Sequence, residues 1–509
     1  MTRQEVALLD VREEHAYSQG HPLFAASLPL SQVELQIYDR VPRRDTPIVV
    51  YDNGEGFAAK AVARIEALGY RNVKHLRGDL AGWRNAGFEL FIDVNSASKA
   101  FGELVESRRH TPSLPAPEVK KLLDEKADVV VMDVRRFDEY QTMNIPTGVS
   151  VPGAELVLRA RTLAPNPKTT IIVNCAGRTR SIIGTQSLVN AALPNPIYAL
   201  RNGTMGWELE GIPLDHGSSR RFKEVSGQPL AEAQSAARAV SYRAGVKVID
   251  RPALEALALD AARTLYCFDV RTPEEYAKAH IPGFRSAQGG QLVQETDVFA
   301  AVRGARIVLA DDLGARAHMT GSWLAQMGWE VYVLQGGFDG PLITGDWKPT
   351  YADPPSVPLI DVRTLHGRLA SGDVTVVDLA SSPAYRKGHI PGAWFAIRSW
   401  LPNLMARLPG NGDLVFTAMN DALPRFAAAE VTAAGRSVFA LDGGTPAWVT
   451  AGHTLEEGLA RCLCEPVDVY RRPYEGTDSP KAAMQAYLDW EFGLVAQLER
   501  DSTHGFYVI

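Results

Sequence analysis

Cysteine is scarce in this chain. Only four occur in 509 residues, at positions 175, 267, 462 and 464. Four cysteines are too few for a disulfide framework, and such a low number is typical of proteins in reducing compartments. No apolar run approaches the ~20 residues that span a bilayer. The N-terminal segment MTRQEVALLDVREEHAYSQG carries charge throughout and lacks the apolar stretch of a signal peptide. We therefore expect a cytoplasmic protein without a membrane partner.

A large excess of charge of one sign is also absent. The formal net charge of −6 gives no reason to expect a nucleic-acid partner. The composition, 46% hydrophobic and 22% charged, is typical of a globular protein. A length of 509 residues is too great for one ordinary hydrophobic core and indicates three or four domains.

Three landmarks recur in the same order four times along the chain. The first is a β-branched run that ends in an acidic residue, at Asp10, Asp133, Asp269 and Asp378. The second is an apolar run that ends 40 to 42 residues later, at Asp52, Cys175, Asp311 and Ala418. The third is a glycine-rich segment that ends 30 to 32 residues further on, at Trp83, Trp207, Pro341 and Trp448. Landmarks kept in register in this way indicate a fourfold internal repeat.

Each repeat alternates between two kinds of segment. Continuous apolar runs such as TIIV in the second repeat have the length and character of parallel strands buried on both faces. Segments of helical period such as SIIGTQSLVNAAL lie between them. This alternation predicts an α/β fold with a parallel sheet covered by helices on both sides. The first repeat starts almost directly at its first strand, so its front element is missing or much shortened.

The repeats predict four domains and a tail. We expect the domains at residues 1–104, 113–215, 246–350 and 357–458. Their expected connectors are a Pro-rich charged segment, a longer polar stretch and a brief link, at residues 105–118, 215–245 and 351–358. Residues 459–509 lie outside the repeat and contain one amphipathic helix, with Ser479 as N-cap and Pro480 at its first position.

One of the four corresponding turns has distinctive chemistry. Cys175 follows the strand of the second repeat and begins a six-residue loop that leads into a helix. Ligand sites of parallel α/β sheets lie at the C-terminal ends of strands, and a loop entering a helix directs backbone N–H groups and positive potential toward one point. Arg178 and Arg180 add two cations. These influences favour the thiolate, so we expect Cys175 to be a nucleophile near neutral pH.

The loop CAGRTR, the preceding DVR…EY segment and the closing NGTMGW segment resemble the rhodanese family, and HIPG appears intact in the third and fourth repeats. The resemblance covers nearly the whole chain. It implies four rhodanese-like domains, each with a mainly parallel five-stranded sheet flanked by helices, arranged as two tandem pairs. The second repeat departs from the family at residues 143–149, where MNIPTGV replaces the usual GHIPGA region.

The resemblance also implies a reaction without a cofactor or a metal. Cys175 attacks the sulfane sulfur of a donor such as thiosulfate, sulfite leaves, and the resulting persulfide passes its outer sulfur to an acceptor such as cyanide or a thiol. The implied catalytic residue is Cys175. The residues implied to bind substrate and persulfide are Ala176, Gly177, Arg178, Thr179 and Arg180.

The length of this loop separates two chemistries. Related phosphatases use a Cys-x5-Arg loop, which is one residue longer. Here the arginine is the fifth residue after Cys175, at Arg180, and the sixth is Ser181. The shorter loop favours sulfur transfer over phosphatase or arsenate chemistry.

The other three repeats lack the cysteine. Asp52, Asp311 and Ala418 occupy the corresponding position. A carboxylate does not form a persulfide and repels an anionic donor, and an alanine offers no nucleophile. We therefore interpret the first, third and fourth domains as catalytically inactive.

Several alternatives remain open at the level of sequence. The donor could be 3-mercaptopyruvate, or the protein could be a persulfide carrier for a protein acceptor. A multi-domain binding scaffold is the alternative from another class. Cys267 is expected to be a small buried hydrophobe, whereas Cys462 and Cys464 are structural or take part in a sulfur relay. Asp133 and Arg135 recur in kind in domains without the cysteine and are expected to hold structure together.

Overall fold

Four five-stranded sheets, each flanked by helices, form the protein. The computed structural model describes residues 4–410, 412–431 and 436–509. The predicted α/β fold, with four repeated five-stranded sheets and a helical C-terminal tail, is confirmed. The apolar runs form the central strands, because strands covered by helices on both faces have to be apolar on both faces.

The strands follow one order in domains 2, 3 and 4. In domain 2 it is β5-β9-β8-β6-β7, with every neighbouring pair parallel. The strands of the four domains are β1 Val6–Asp10, β2 Ala26–Ser27, β3 Ile48–Tyr51, β4 Val73–His75; β5 Ser113–Leu114, β6 Val129–Asp133, β7 Val149–Ser150, β8 Thr170–Asn174, β9 Ile197–Leu200; β10 Lys247–Ile249, β11 Leu265–Asp269, β12 Arg285–Ser286, β13 Val302–Arg303, β14 Arg306–Ala310, β15 Glu330–Leu334; β16 Leu359–Ile360, β17 Val374–Asp378, β18 Trp394–Phe395, β19 Asp413–Thr417 and β20 Val438–Leu441.

The helices lie between and around these strands. In chain order they are α1 Glu14–Ser18, α2 Val33–Arg40, α3 Phe57–Ala67, α4 Asp79–Asn85, α5 Ser96–Arg109; α6 Ala116–Asp124, α7 Phe137–Thr142, α8 Leu156–Leu163, α9 Thr179–Asn190, α10 Gly203–Leu209, α11 Gly227–Arg243; α12 Arg251–Leu259, α13 Pro273–Lys278, α14 Gly289–Gln294, α15 Thr296–Phe299, α16 Arg316–Gln326; α17 Val362–Ser371, α18 Ser382–Lys387, α19 Leu401–Leu404, α20 Ala422–Glu430, α21 Gly444–Thr450; and α22 Lys481–Phe492 and α23 Leu494–Asp501.

The domains do not form two separate tandem pairs, contrary to the expectation. Strand β13 of domain 3 pairs antiparallel with β1 and completes the sheet of domain 1. Arg316 of domain 3 forms an ion pair with Glu155 of domain 2 at 2.8 Å. Arg398 of domain 4 forms one with Glu34 of domain 1 at 2.7 Å. Domain 1 therefore contacts both domains 3 and 4, and β13 extends its sheet at the edge formed by β1.

Two segments predicted as connectors are largely helical. Helix α5 continues to Arg109, into the segment 105–118, and packs along α9 of domain 2. Helix α11 fills most of the stretch 215–245 and packs between α8 and α16. Small residues of α11 such as Ala233 and Ala237 are fully buried there. The polar composition of residues 215–245 predicted a connector. The segment instead forms a packed helix, because alanines four residues apart allow neighbouring helices to approach closely.

The C-terminal tail contains two helices rather than the single predicted one. Helix α22 begins at Lys481, after Pro480, and α23 follows the break at Gly493. Glycine has poor helix propensity, so the helix axis changes easily at that point. The two helices bury different faces: Met484 and Leu488 pack on Met205 of domain 2, and α23 joins the core shared by domains 1 and 3.

Candidate active site

Cys175 lies directly after β8, at the C-terminal edge of the domain 2 sheet. Beneath it, Asn174 donates a hydrogen bond from Nδ2 to Asp133 at 2.9 Å. Asp133 in turn forms a buried ion pair with Arg135 at 2.7 Å. The same pair recurs in domains 1 and 3, which lack the cysteine, and this supports the structural interpretation of Asp133 and Arg135.

The loop that follows Cys175 is held in place by the start of α10. The backbone N–H of Thr204 donates to the carbonyl of Cys175 at 2.9 Å, and that of Met205 donates to Ala176 at 3.0 Å. Gly203 has a φ of +57°, and a Cβ atom added to it would lie 2.4 Å from the carbonyl oxygen of Cys175. Only glycine allows this approach, which is the physical reason for the glycine in the NGTMGW segment.

Both arginines of the loop are paired with carboxylates. Arg178 donates from Nε and Nη2 to the two oxygens of Glu103, each at 2.8 Å, and it also contacts Glu106. Arg180 donates from Nη1 and Nη2 to the two oxygens of Glu139, again at 2.8 Å. The sequence predicts two free cations at this loop, whereas the structure shows each of them largely neutralised by its partner.

The pair of Arg178 with Glu103 leads to a prediction about stability. Both side chains are buried, so Arg178→Ala leaves an unpaired buried carboxylate. We expect the apparent free energy of unfolding in urea to fall by about 3 to 5 kcal/mol. The matched control is Arg136→Ala, which breaks a half-exposed pair with Asp138 and should cost less than about 1 kcal/mol. A variant that unfolds like the parent but uses its donor poorly would instead make Arg178 a donor contact.

A small cavity at Cys175 is bounded by parts of the chain that lie far apart in sequence. Besides the six loop residues, its wall contains Lys99 of α5, Gln294 of α14, and Tyr474, Tyr487 and Glu491 of the tail. Cys175 is only 2% exposed as a result. Sequence inspection does not identify these five residues, because it indicates an apolar face on the tail helix but not the surface on which it docks.

This cover changes the chemistry expected of the thiol. Burial raises the pKa of Cys175 above its ordinary value, and the nearby Glu491 raises it further. Arg180 and Ser181 oppose the shift but do not reverse it. The pKa of Cys175 is therefore raised, contrary to the direction expected from the loop, since the loss of hydration outweighs the loop's positive influences.

The corresponding loops of domains 1 and 3 show what their aspartates do. In domain 1, Asp52 accepts hydrogen bonds from the backbone N–H groups of Gly54 at 2.7 Å and Ala58 at 2.9 Å. In domain 3, Asp311 accepts them from the N–H groups of four residues, Gly314, Ala315, Arg316 and Ala317, at 2.6 to 3.3 Å. We call the ring of backbone N–H groups in this loop the cradle; it is formed by residues 52–58 in domain 1 and 311–317 in domain 3. In both domains the carboxylate at the cysteine position fills the cradle.

The loop of domain 4 keeps the backbone hydrogen bond to the next helix, but it has an alanine at the cysteine position. Thr445 donates from its N–H to the carbonyl of Ala418 at 2.8 Å, as Thr204 does to Cys175. Asn420 accepts hydrogen bonds from the N–H groups of Ala422 and Leu423 through Oδ1. The fourth cradle is therefore also occupied by a side chain of the protein.

In domain 2, by contrast, Ser181 donates to the Cys175 sulfur, but the first donors of the loop are not used. Within the part of the chain that the structure describes, the backbone N–H groups of Ala176, Gly177 and Arg178 have no protein acceptor. Cys175 lies at the position of the aspartates. The arrangement can stabilise a negative charge on an atom attached to the Cys175 sulfur.

Comparison of the whole chain with known proteins identifies its family. A model of the rhodanese-like domain matches residues 1–86, 115–210, 253–341 and 359–451. The chain belongs to the rhodanese family. A crystal structure of a thiosulfate sulfurtransferase from Pseudomonas aeruginosa is similar to this rhodanese over 100% of this chain and 97% of that chain, with 57% identity and a TM-score of 0.97.

Other relatives match single repeats of this rhodanese. An HTH-type transcriptional regulator of Mycobacterium tuberculosis is 35% identical over 94 residues, which are 18% of this chain. The chain spans 41% of the length of that curated relative. The crystal structure of a rhodanese_3-like domain from an Anabaena protein is 26% identical and covers 17% of this chain and 93% of that chain, with a TM-score of 0.17.

The remaining cysteines lie outside the cavity at Cys175. Cys267 is part of β11, where burial raises its pKa to about 12. Cys462 donates to the carbonyl of Leu459 at 3.4 Å, and Cys464 lies near it in a hydrophobic cluster of domain 4. Burial raises the pKa of Cys464 to about 11. These surroundings favour structural roles for all three.

Proposed function

We propose that this rhodanese transfers a sulfane sulfur from thiosulfate, through a persulfide on Cys175, to cyanide or a small thiol. One observation carries the proposal. Domain 2 has a cysteine and unused N–H donors where the other domains have a side chain that fills the cradle. The full-length similarity to a thiosulfate sulfurtransferase supports the same activity and the same donor.

The proposed reaction has two balanced steps. In the first, the Cys175 sulfur attacks the outer sulfur of thiosulfate, a bond forms between these two sulfurs, and sulfite leaves with the electron pair of the broken sulfur–sulfur bond. In the second, the acceptor attacks the outer sulfur of the persulfide, and the electron pair returns to Cys175. The N–H groups of residues 176–178 are suited to stabilise the anionic outer sulfur, as donors that are already in position.

The cover over Cys175 favours small substrates over a protein acceptor. A thiol of another protein would reach the sulfur only after α22 and Tyr474 had moved away. A cavity of about 230 Å³ adjoins the site and shares Arg180, Gln294 and Tyr474 with it. We propose that small anions enter through this polar cavity. A steady-state comparison of thiosulfate and 3-mercaptopyruvate, each with cyanide as acceptor, tests the choice of donor.

Arg180 is the cation best placed to act on the donor, since it borders both cavities. Arg180→Ala removes a charge-assisted contact worth ~1.5–3 kcal/mol. We expect kcat/KM for thiosulfate to fall roughly ten- to a hundredfold. The matched control is Arg161→Ala, which lines neither cavity and pairs with a half-exposed Glu232. An unchanged value for Arg180→Ala would leave donor binding to the backbone cradle alone.

We also propose a cytoplasmic location. The support is that all four cysteines are unpaired thiols, as expected in a reducing compartment. No helix in the described ranges has both the length and the apolar character required to cross a membrane.

A further inference from the structure

Glu491 is a buried acid of the tail that forms no ion pair with any residue in the described ranges. The residue is 1% exposed and lies on α22. Its Oε1 atom accepts a long hydrogen bond, 3.5 Å, from Oγ1 of Thr179. Its Oε2 atom is buried and has no hydrogen-bond partner among the described residues. A carboxyl group buried in this way costs free energy that glutamine or leucine would avoid.

The groups that face Glu491 come from three parts of the chain. Lys99 and Glu103 extend from α5, Asp93 precedes that helix, and Arg178 belongs to the catalytic loop. Lys99 is already paired with Asp93 at 2.6 Å, and Arg178 with Glu103 at 2.8 Å. Burial raises the pKa of Glu491 to about 8, and the carboxylate of Glu103 adds to this shift. The Glu491 carboxyl is therefore mainly protonated at neutral pH.

Both carboxyl oxygens border the loop that carries the nucleophile. Glu491 and Cys175 line the same small cavity. A Cβ atom added to Gly177 would lie 3.4 Å from Glu491 Oε2, so this oxygen lies directly against the loop backbone. Oε1 is held beside Thr179, at the other end of the loop. One carboxyl group thus faces the space in which the donor reacts.

We propose that the Glu491 carboxyl transfers the thiol proton of Cys175 to the anion that leaves the donor. This inference rests on the proposed sulfur transfer and adds the fate of the proton. One carboxyl oxygen accepts the proton from the Cys175 sulfur as the new sulfur–sulfur bond forms. The other oxygen gives up its own proton to sulfite, which leaves as hydrogen sulfite. The carboxyl ends neutral, and the persulfide retains the negative charge.

This role explains how a buried thiol with a raised pKa can react. A neutral carboxyl that accepts one proton while it donates another avoids forming a separate thiolate in the closed cavity. Proton transfer by a positioned side chain contributes about 10²- to 10⁴-fold to a rate. In this proposal the tail supplies the group that moves the proton.

The test compares Glu491→Gln with Glu499→Gln in the full-length protein. Glutamine keeps the shape and neutrality of the side chain but cannot transfer a proton. We expect the single-turnover rate of Cys175 persulfide formation from thiosulfate, followed by quenched-flow intact-mass spectra, to fall about a hundredfold in Glu491→Gln. Glu499 is exposed on α23, and its variant should react like the parent. Equal rates for the parent and Glu491→Gln would overturn the inference.

The pH dependence gives a second readout that a purely structural role would not change. In the parent, the loading rate should fall as the pH rises through about 8, because Glu491 then loses its proton and repels the anionic donor beside Glu103. In Glu491→Gln this fall should disappear, and the rate should rise with pH as the Cys175 thiolate forms. The same falling profile in both proteins would contradict the proposal.

The choice of donor separates chemistry from folding. Benzenethiosulfonate releases a sulfinate, which is a much weaker base than sulfite and needs no proton to leave. With benzenethiosulfonate, Glu491→Gln loses only the acceptance of the thiol proton, so its defect should be smaller than with thiosulfate, whereas a misfolded site would impair both equally. If the parent itself forms no persulfide with either donor, the proposed function fails. If the parent is loaded but the variant's defect is the same for both donors, only the role of Glu491 fails.

Discussion

Cys175→Ser is expected to reduce sulfur transfer from thiosulfate to cyanide to the uncatalysed background. A serine hydroxyl does not ionise near neutral pH and does not form a persulfide. The fold should persist, since the hydroxyl replaces a sulfur of similar size at the end of β8. Intact-mass spectra of the parent incubated with thiosulfate should gain one sulfur atom, and peptide mapping should find it on Cys175.

The control for this experiment is the double variant Cys462→Ser with Cys464→Ser. These half-buried cysteines lie in the first part of the tail, packed against domain 4, and their loss should leave both turnover and sulfur loading unchanged. Sulfur found on either of them in the parent protein would refute the assignment of the nucleophile. Loss of turnover with normal loading of Cys175 would instead indicate the sulfur relay that the sequence leaves open.

Gly203→Ala is expected to lower kcat/KM by roughly a hundredfold, although residue 203 carries no chemistry. A Cβ atom at this position would lie 2.4 Å from the carbonyl oxygen of Cys175 and 2.7 Å from that of Gly177. The loop must move to relieve this overlap, and a displacement of about 1 Å can cost about 10² in rate. Steady-state kinetics with thiosulfate and cyanide measures the effect.

The matched control for Gly203→Ala is Gly211→Ala. Both glycines have positive φ, +57° and +71°, but no atom lies within 4 Å of the Cβ position at Gly211. Each substitution should therefore cost about 1–2 kcal/mol of backbone strain, whereas only Gly203→Ala should displace the catalytic loop. Equal kinetic losses in the two variants would show that strain, and not the contact with the loop, is responsible.

The fold and the position of the candidate nucleophile could be read from the sequence because their signals are local. A buried parallel strand has to be apolar on both faces, so β8 is recognisable from the run TIIV. The cradle is built from consecutive residues after that strand. The substitutions at Asp52, Asp311 and Ala418 are visible for the same reason, and the structure adds that the aspartates fill their own cradles.

The electrostatics of the site could not be predicted in this way. Arg178 and Arg180 are cations in the sequence, but their partners Glu103 and Glu139 lie 75 and 41 positions away. The state of the thiol depends on water being excluded by the tail, which begins almost 300 residues after Cys175. A prediction from neighbouring residues therefore gave the wrong direction for the pKa of Cys175.

By itself the sequence determined four α/β repeats, one cysteine-bearing loop and three loops without a nucleophile, because each depends on residues close together in the chain. Tertiary structure alone decided that domain 1 shares a sheet with domain 3, and that α22 covers Cys175 with Glu491 and Tyr487. Docking of this kind depends on the shape and burial of two distant surfaces. Neither surface has a local sequence pattern from which its docking partner could be predicted.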